Sequence, residues 1–420
     1  MKSELFLSFQ NFKNILSNNY FLITFNNLLL LHLIINKIII LFVLFVSIVK
    51  LKVLQMNRIY TLFILFLIGL FLYSCEPMAT GFNDIEDAQY YSASTINYVP
   101  DTFNTLKVMT WNIRFGAGRL PWFGDACGSR VIFTPDEIYT NLTAIVNRIN
   151  LLKPDILLLQ EVDLNSKRSA YIDQVRWILN HTYFNYAVSA FQWKAQFIPS
   201  DGLGRLEETN VILSRWSLTD AHRIQLALRN DQDNLTRYFY ERCCMLNCKV
   251  NLPHNNNFYA VNIHASAFAT DDSKYKHIVS FGQELDRINN MGGIFVAGGD
   301  LNTLPPNSDT TDFCIQDMCP GDSYHTSSSG PHKDGSNYTP EQTWLNYLYT
   351  KYKPAVPTAD YIMNQYKYFT HTDRPTYFWD RTLDHLFTNK SWVTNSVVTH
   401  QEALPESDHC PVSVSISLSK

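Results

Sequence analysis

Apolar runs of strand length recur along this chain, and a polar residue that core packing does not explain ends several of them. The run Ile294–Ala297 is followed by two glycines and then by Asp300 and Asn302. The run has the composition of a buried strand, and Gly298 and Gly299 would let the backbone turn tightly where it ends. The sequence therefore predicts a carboxylate and a carboxamide together at the tip of a hydrophobic strand.

The same pattern occurs in other runs of strand composition. Strands are predicted over LKVMTWNI (106–113), DILLLQEVD (155–163), NVILSRW (210–216), FYAVNIHAS (258–266), TLDHLFTN (382–389) and PVSVSISL (411–418). Polar residues lie at or beside the ends of five of these runs: Asn112, Glu161, His264, Asp384, and the pair Asp408 and His409. One such residue would be an ordinary turn or cap residue, but six sites with complementary chemistry are hard to explain as caps.

Helical segments are interleaved with these strands. In TPDEIYTNLTAIVNRINLLKPD, Thr134 and Glu137 predict a capping box, Pro135 suits the first helical position, and Pro154 ends the helix. A second helical pattern covers Lys274–Asn290. Interleaved strands and helices predict an α/β fold with helices covering the faces of the sheets.

The N-terminal region is set apart from this folded body. Residues 56–74 begin with Met and a short basic segment, continue as an apolar stretch, and lead into LYSC, which resembles the lipobox of a bacterial lipoprotein signal. Cleavage before Cys75 and lipidation of Cys75 would anchor the protein to the cell envelope, at the outer membrane or cell surface. An uncleaved membrane anchor is the alternative. Residues 1–55 form a hydrophobic extension, which is not translated if synthesis starts at Met56. Residues 75–105 are predicted to be a polar tether that leads to a folded domain over residues 106–420.

The charge of the exported part bears on its partners. The N-terminal 75 residues hold six of the 34 basic residues and one of the 38 acidic residues, so the remainder carries 28 basic and 37 acidic residues, a net charge of −9. This sign excludes binding of nucleic acid by attraction over the whole surface, although a local basic patch is compatible with it. No protein partner is indicated.

Seven cysteines follow Cys75, an odd number, so at least one thiol is free if all the others pair. Cys314 and Cys319 are close enough in sequence to form a disulfide. The run RCCMLNCKVNL, with Cys243, Cys244 and Cys248, alternates as a half-buried strand does, which we favour over a metal-ligand cluster.

If the strand tips converge, their polar residues form a site for a hard divalent cation. Glu161, Asp408 and the amide of Asn112 offer oxygen ligands. Mg²⁺ binds through one or two carboxylates together with a substrate phosphate, whereas neither histidine of the set has zinc-like spacing to a cysteine. The residues thus favour Mg²⁺, with Mn²⁺ as a substitute.

The motifs TWNIR, LLQEVD, NIHAS, GGDLN, LDHLF and SDHCPV, in this order, resemble those of the endonuclease/exonuclease/phosphatase superfamily. This group contains DNase I, exonuclease III-like repair nucleases, neutral sphingomyelinases and inositol polyphosphate 5-phosphatases. The motifs run from residue 107 to 418 and cover nearly the whole exported body. The resemblance implies a four-layer α/β sandwich, in which two mixed sheets pack face to face between outer helices, with the site at one sheet edge.

The resemblance also implies roles for these residues in a metal-dependent phosphoester hydrolase. Asn112, Glu161 and Asp408 would bind the metal ion. Asp300, with Asn302, would orient and deprotonate the attacking water, His264 and His409 would act on the phosphate and leaving group, and Asp384 would hold His409. Either Asp300 or His409 could be the base. Asn210 matches a position near the substrate in relatives, although an Asn that starts a strand is equally a turn residue.

The substrate remains open at this level. His264 stands where abasic-site nucleases carry a tyrosine, so the alternatives are a phosphodiesterase or phosphatase for small phosphoesters, a secreted nuclease for DNA or RNA, and a sphingomyelinase-like phospholipase C. A catalytically inactive binding module is a minor alternative, since all six motifs keep their polar members. An insertion at about 305–375, rich in Tyr, Pro and Ser, separates two motifs that should be neighbours, so we expect it to border the site.

Overall fold

The computed structural model describes residues 78–124, 128–267, 269, 271–308, 341–372, 379 and 381–418. The predicted N-terminal extension, signal peptide and lipidated Cys75 lie outside these residues, as do Cys314, Cys319 and much of the predicted insertion. Within the described ranges, no helix combines the length and the apolar character that crossing a membrane requires.

Two mixed β-sheets form the centre of the described part. The strands of the first sheet are β2 (Gln89–Ser92), β3 (Thr105–Asn112), β4 (Ile156–Asp163), β5 (Tyr186–Ile198), β6 (Gly204–Ser214), β13 (Ser391–Trp392), β14 (Val398–Thr399) and β15 (Val412–Ser417). Their order across the sheet is β13-β15-β3-β4-β6-β5-β2, with β14 also paired to β15. Only β3 and β4 pair in parallel; the other pairings in this sheet are antiparallel.

The strands of the second sheet are β1 (Ile85–Asp87), β7 (Leu218–Gln225), β8 (Cys244–Val250), β9 (Phe258–His264), β10 (Ile294–Asp300), β11 (Lys353–Pro354) and β12 (Asp384–Thr388). Their order is β1-β7-β8-β9-β10-β12-β11. Here β9 and β10 are parallel, and β10 and β12 are antiparallel. The polar residues predicted at strand ends therefore divide between two sheets.

Six α-helices are described: α1 (Pro135–Leu152), α2 (Gln174–His181), α3 (Asn234–Phe239), α4 (Ser273–Asn290), α5 (Asn346–Lys351) and α6 (Thr358–Met363). Helix α1 begins as predicted, because the Thr134 side chain accepts from the backbone N–H of Glu137 and the Glu137 carboxylate accepts from the N–H of Thr134. Helix α4 confirms the second helical prediction to within one residue.

Three apolar cores separate four layers. Helices α1 and α2 pack on one face of the first sheet, and alternate residues of β3 and β4, such as Leu106 and Leu158, meet Leu246 and Val296 between the two sheets. Helix α4 packs on the outer face of the second sheet around Phe281. Since β4 and β10 are buried on both faces, each begins with a continuous apolar run rather than an alternating pattern. The predicted four-layer α/β sandwich is confirmed.

The predicted tether is wrong in its central part. Residues 85–87 pair with β7 in one sheet, and residues 89–92 pair with β5 in the other. Both segments are short edge strands with mostly exposed side chains. A polar composition does not distinguish an exposed edge strand from a linker, because an edge strand obtains much of its stability from backbone hydrogen bonds to one neighbour.

The cysteine pattern at 243–248 leads into a strand, as predicted, but this strand is buried along nearly its whole length rather than on alternate residues. Cys244 begins β8, and Cys243, Cys244, Cys248 and Cys410 are buried free thiols. Burial raises the pKa of each of these thiols, so they behave as small apolar groups.

Candidate active site

Strand register aligns three of the predicted site residues in one row. Asp300, the last residue of β10, is paired with His264 at the end of β9 and with Asp384 at the start of β12. Side chains on directly opposed positions of neighbouring strands lie side by side. The second sheet therefore delivers an imidazole and two carboxylates to one edge.

Two glycines permit this close approach. A Cβ atom on Gly298 would lie 1.9 Å from the backbone oxygen of His385, and one on Gly299 would lie 1.9 Å from that of Ile263. Gly299 also has φ +141°, which is a conformation that other residues rarely adopt. The strands that carry His264, Asp300 and Asp384 can therefore pair this closely only because residues 298 and 299 have no Cβ atom.

The first sheet supplies Asn112 and Glu161. Asn112 ends β3, whereas Glu161 lies within β4 where the register against β6 shifts between Leu159 and Val162. Glu161 has φ +53°, a left-handed conformation at this bulge. A bulge inserts an extra residue and redirects its side chain, which accounts for a carboxylate directed to the site from inside a buried strand.

The two sets meet across the sheets at the Asn112 amide. Nδ2 of Asn112 donates to Oε1 of Glu161 (2.8 Å) and to Oδ2 of Asp300 (3.1 Å). The same Asp300 oxygen lies 3.5 Å from Nε2 of His264 and 3.5 Å from Nε2 of His409. Side chains that are far apart in sequence thus surround one carboxylate oxygen.

His409 and Asp408 precede β15 and approach from the first sheet. Nδ1 of His409 lies 2.7 Å from Oδ2 of Asp384, and both side chains are buried. Asp408 Oδ2 is 3.5 Å from Nε of the buried Arg114, and its Oδ1 accepts from the Ser407 hydroxyl (3.1 Å). Each residue of this pair is therefore fixed by a partner of complementary charge or hydrogen-bonding capacity.

The site concentrates negative charge in a buried place. Burial, together with the nearby carboxylate of Glu208, raises the pKa of Glu161 to about 8. Burial alone would raise the pKa of Asp408 as well, but His409 and Arg114 hold the pKa of Asp408 below its ordinary value. The Glu161 side chain retains 23% of its exposure, so it remains open to a ligand.

The two histidines respond to these carboxylates. Burial by itself would lower the pKa of His409, but Asp384 and Asp300 hold that pKa well above its ordinary value. Burial likewise opposes the charged form of His264, yet Asp300 and Glu161 raise its pKa. Both rings are thus suited to donate protons or hydrogen bonds to an anion.

Part of the predicted insertion borders the site. Residues 370–372 lie between Arg381 and the 408–410 segment. On one side, the backbone N–H groups of Thr370 and His371 donate to the backbone oxygen of Arg381 (2.7 and 3.0 Å). On the other side, the N–H of Thr372 donates to the oxygen of Asp408 (3.0 Å), and the N–H of Cys410 donates to the oxygen of Thr370 (2.8 Å). The ring of His371 packs edge-on against that of His409, with their centroids 4.6 Å apart.

Among the residues that the structure describes, two groups of side chains lie close enough together to ligate a metal ion. Ligand atoms of His371, Asp408 and His409 lie within 4.8 Å of one another, and so do those of Asp300, Asp384 and His409. Neither group includes Glu161. The histidine at 371 was not predicted, because a histidine in a long irregular insertion carries no signal in the sequence.

Asn302 and Asn210 occupy supporting positions. The backbone N–H of Asn302 donates to Oδ1 of Asp300 (2.9 Å), and its Nδ2 donates to the oxygen of Ala265 (2.9 Å). Asn210 is fully buried, and its Nδ2 donates to the oxygen of Cys244 (3.0 Å) and to Oε1 of Gln192 (3.3 Å). Asn302 thus holds the segment that follows β10 to the end of β9, and Asn210 connects to the site through Gln192.

A buried cation supports the Glu161 strand from behind. The Arg168 guanidinium donates to both oxygens of Asp163 (2.9 Å each) and to Oε2 of Glu208 (2.6 Å), and it lies 3.9 Å from the Phe115 ring centroid. These residues were not singled out from the sequence, since the spacing of Arg168 from Asp163 is that of any loop.

Comparison with known proteins places this geometry in a family. The sequence model of the endonuclease/exonuclease/phosphatase family matches residues 109–409, which span every site residue named above. No curated protein matches the sequence.

Solved structures similar to this one include proteins of the same description. An endonuclease/exonuclease/phosphatase from Beutenbergia cavernae shares 17% identity and a TM-score of 0.48, over 76% of this chain and 72% of that one. One from Bacteroides vulgatus shares 14% identity and a TM-score of 0.44, over 76% and 100%. TDP2 from Caenorhabditis elegans shares 13% identity and a TM-score of 0.41, over 74% of each chain.

Proposed function

This chain belongs to the endonuclease/exonuclease/phosphatase family, and we propose that it is a Mg²⁺-dependent hydrolase that attacks phosphorus with water. The family acts on phosphoester bonds. One observation carries the proposal: Asp300 Oδ2 lies within 3.5 Å of Asn112, His264 and His409 side-chain nitrogens. An acceptor for the water proton and donors for the phosphate oxygens therefore lie in one place.

The donor set fits a hard divalent cation. Glu161 and Asp408 carry oxygen ligands, and burial and the neighbouring carboxylates raise the pKa of Glu161 although His264 partly offsets them, so a bound cation would favour its charged form. In this structure Oδ1 of Asn112 accepts from the N–H of Arg114 (3.0 Å), so the amide supports Glu161 through its N–H. Mg²⁺ bound by Glu161 and Asp408 would supply Lewis-acid polarisation of a phosphoryl oxygen.

The remaining residues divide the proton chemistry among themselves. Asp300 is placed to accept the proton of the attacking water, and its second oxygen is held by the N–H of Asn302. His409, kept charged by Asp384, donates to the phosphoryl oxygens, on which negative charge accumulates as the attack proceeds. His264 donates from Nε2 to a second oxygen or to the leaving group. The bond formed is between water oxygen and phosphorus, and the bond broken is between phosphorus and the leaving oxygen.

The test is hydrolysis of a panel of phosphoesters by the purified protein, each with Mg²⁺ and with EDTA. The panel contains plasmid DNA, RNA, sphingomyelin, inositol phosphates and bis-p-nitrophenyl phosphate. We expect hydrolysis of at least one compound that EDTA abolishes. Release of phosphocholine or inorganic phosphate with nucleic acid left intact would exclude the nuclease, and hydrolysis of nothing would favour an inactive binding module.

We also propose that the protein acts at the cell envelope, attached through a lipid on Cys75. The support is the LYSC sequence after an apolar segment that starts with its own Met56. Two or more acyl chains give stable attachment to a membrane. Labelling with a radioactive fatty acid tests this: the native protein should incorporate the label and a Cys75→Ala variant should not, and a native protein without label would overturn the proposal.

A further inference from the structure

Nδ1 of His264, the ring nitrogen that faces away from the reaction centre, contacts a residue with no assigned role. Gln192 is completely buried, and its Nε2 lies 2.8 Å from that nitrogen. The register between β5 and β6 shifts between Phe191 and Trp193, so Gln192 is the extra residue of a bulge. Bulges beside active sites redirect side chains, and this one directs a glutamine at His264.

The orientation of the Gln192 amide follows from a backbone carbonyl. The oxygen of Cys244 can only accept, so the Asn210 amide must present its Nδ2 to it (3.0 Å). The same Nδ2 lies 3.3 Å from Gln192, which must therefore present its Oε1 there. The nitrogen of Gln192 is consequently directed to the other side, where the carboxylate of Glu241 accepts from it (3.1 Å).

These hydrogen bonds, which run from Cys244 through Asn210 and Gln192 to His264, determine which ring nitrogen of His264 carries a proton. Since Gln192 donates from Nε2, it favours the neutral ring in which Nδ1 of His264 accepts and the proton resides on Nε2, and it opposes the doubly protonated ring that the nearby carboxylates favour. That Nε2 lies 3.5 Å from Oδ2 of Asp300 and 3.9 Å from Oε1 of Glu161. The Asp300 carboxylate favours a proton on Nε2, and the Gln192 amide donor disfavours one on Nδ1.

We propose that Gln192 is a positioning residue that holds His264 as an Nε2–H hydrogen-bond donor directed at the phosphoryl group, and that Asn210 sets the orientation of Gln192. The inference rests on the proposed function, in which His264 acts on a phosphoryl oxygen or the leaving group. In this proposal Asn210 does not contact the substrate; its amide orients Gln192, which in turn orients His264. Reversal of the Gln192 amide would set its nitrogen against the Asn210 nitrogen and its oxygen against Glu241.

The direct test is the ¹⁵N NMR spectrum of the histidine rings in the Mg²⁺-loaded protein, with His264 assigned by its loss in His264→Asn. At alkaline pH, where the ring is neutral, we expect an unprotonated Nδ1 and a protonated Nε2. In Gln192→Glu the carboxylate accepts from the ring, so Nδ1 should become protonated. A protonated Nδ1 in the native protein at that pH, or an unprotonated one in Gln192→Glu, would overturn the proposal whether or not a substrate is known.

Kinetics provide the second measurement. Gln192→Leu removes the donor and should lower kcat by about 10- to 100-fold, as is typical for partners that orient a catalytic histidine, with KM little changed. Gln174→Leu is the matched control, because Gln174 is equally buried and donates to the oxygen of Phe115 without touching His264. The control should leave the His264 ring signals where they are in the native protein.

The two variants separate positioning from general damage. If Gln192→Leu and Gln174→Leu lower thermal stability equally, but only the first changes kcat and the His264 signals, the positioning role is supported. Equal changes in both variants would contradict it. A protein that shows the predicted ring state and yet hydrolyses no phosphoester would contradict the proposed function and leave the hydrogen-bond assignment intact.

Discussion

His409 donates from Nδ1 to Oδ2 of Asp384 over 2.7 Å, although Asp384 begins a strand of the second sheet and His409 lies in the segment that leads into β15 of the first sheet. This contact fixes the ring so that Nε2 faces Oδ2 of Asp300. Asp384 and Asp300 both stabilise the charged ring, which the proposed mechanism needs as a donor to a phosphoryl oxygen. The proposed chemistry thus depends on a contact between the sheets.

Replacing Asp384 by Asn should therefore lower kcat/KM by at least about 10²-fold, the effect of losing one electrostatic stabiliser of the transition state. The amide retains the shape but not the charge that keeps His409 protonated. Steady-state kinetics on the best substrate of the panel measure this. Asp360→Asn, on the exposed surface of α6, is the control and should be neutral. Equal activities of the two variants would contradict the role of Asp384.

The stability of the metal-free protein should fall as the pH rises towards 8. Glu161 has a folded pKa of about 8 against an ordinary value of 4.5, so between these values the folded protein binds more protons than the unfolded chain does. The contribution of Glu161 to the free energy of unfolding is fully present below about pH 4.5, and it decreases as the pH rises to about 8. The gain in Tm on adding Mg²⁺ should consequently be larger at about pH 8 than at about pH 6, where protons compete with the metal.

Differential scanning calorimetry with Mg²⁺ and with EDTA checks this. In Glu161→Gln the gain should be small and the same at both pH values, because the titrating ligand is gone. A native protein whose gain is larger at the lower pH would show that Glu161 is not the titrating ligand.

Arg168→Leu should destabilise the fold by about 3–5 kcal/mol, because it leaves the buried carboxylates of Asp163 and Glu208 without their cation. The Arg168 side chain is only 2% exposed. Arg176→Leu removes the same charge from a pair with Asp173 in which the arginine side chain is 63% exposed, and should cost less than about 1 kcal/mol. Urea unfolding of both variants measures the difference, and similar midpoints would contradict the structural role of Arg168.

Gly299→Ala should destabilise the protein by more than about 3 kcal/mol or prevent folding, since the new methyl group would overlap the backbone oxygen of Ile263 and backbone atoms cannot move aside cheaply. Gly81→Ala is the control, because a Cβ there meets nothing within 4 Å. Thermal unfolding compares the two variants. Equal unfolding temperatures for Gly299→Ala and Gly81→Ala would contradict the close approach of β9 and β10.

Local signals made part of this structure predictable from the sequence. Helix α1 is specified by a capping box and a proline within its own first turn, and the central strands are specified by apolar runs that need burial on both faces. The convergence of Asn112, Glu161 and Asp300 was predictable because each is a polar residue that could bind a metal or a proton near the end of an apolar run, and because the ordered motifs resemble those of the family. These features depend on residues near each other in sequence, or on motifs that recur as a set.

Features that depend on distant partners were not predictable. The bulge that redirects Glu161 arises from a register shift between β4 and β6, and an isolated β4 sequence contains no sign of it. Gln192 lies in a stretch, AVSAFQWKAQF, in which nothing marks one polar residue as special. The sequence leaves Asn210 open between a position near the substrate and a turn residue, because its contacts with Cys244 and Gln192 depend on how β5, β6 and β8 lie together.

The most direct test of the central claim is the rate of Mg²⁺-dependent hydrolysis of bis-p-nitrophenyl phosphate by the native protein and by Glu161→Gln, measured with Mg²⁺ binding by isothermal titration calorimetry. We predict that the variant binds Mg²⁺ at least about tenfold more weakly and loses about 10²-fold or more in rate. A Glu161→Gln protein with native Mg²⁺ affinity and native turnover would contradict the account.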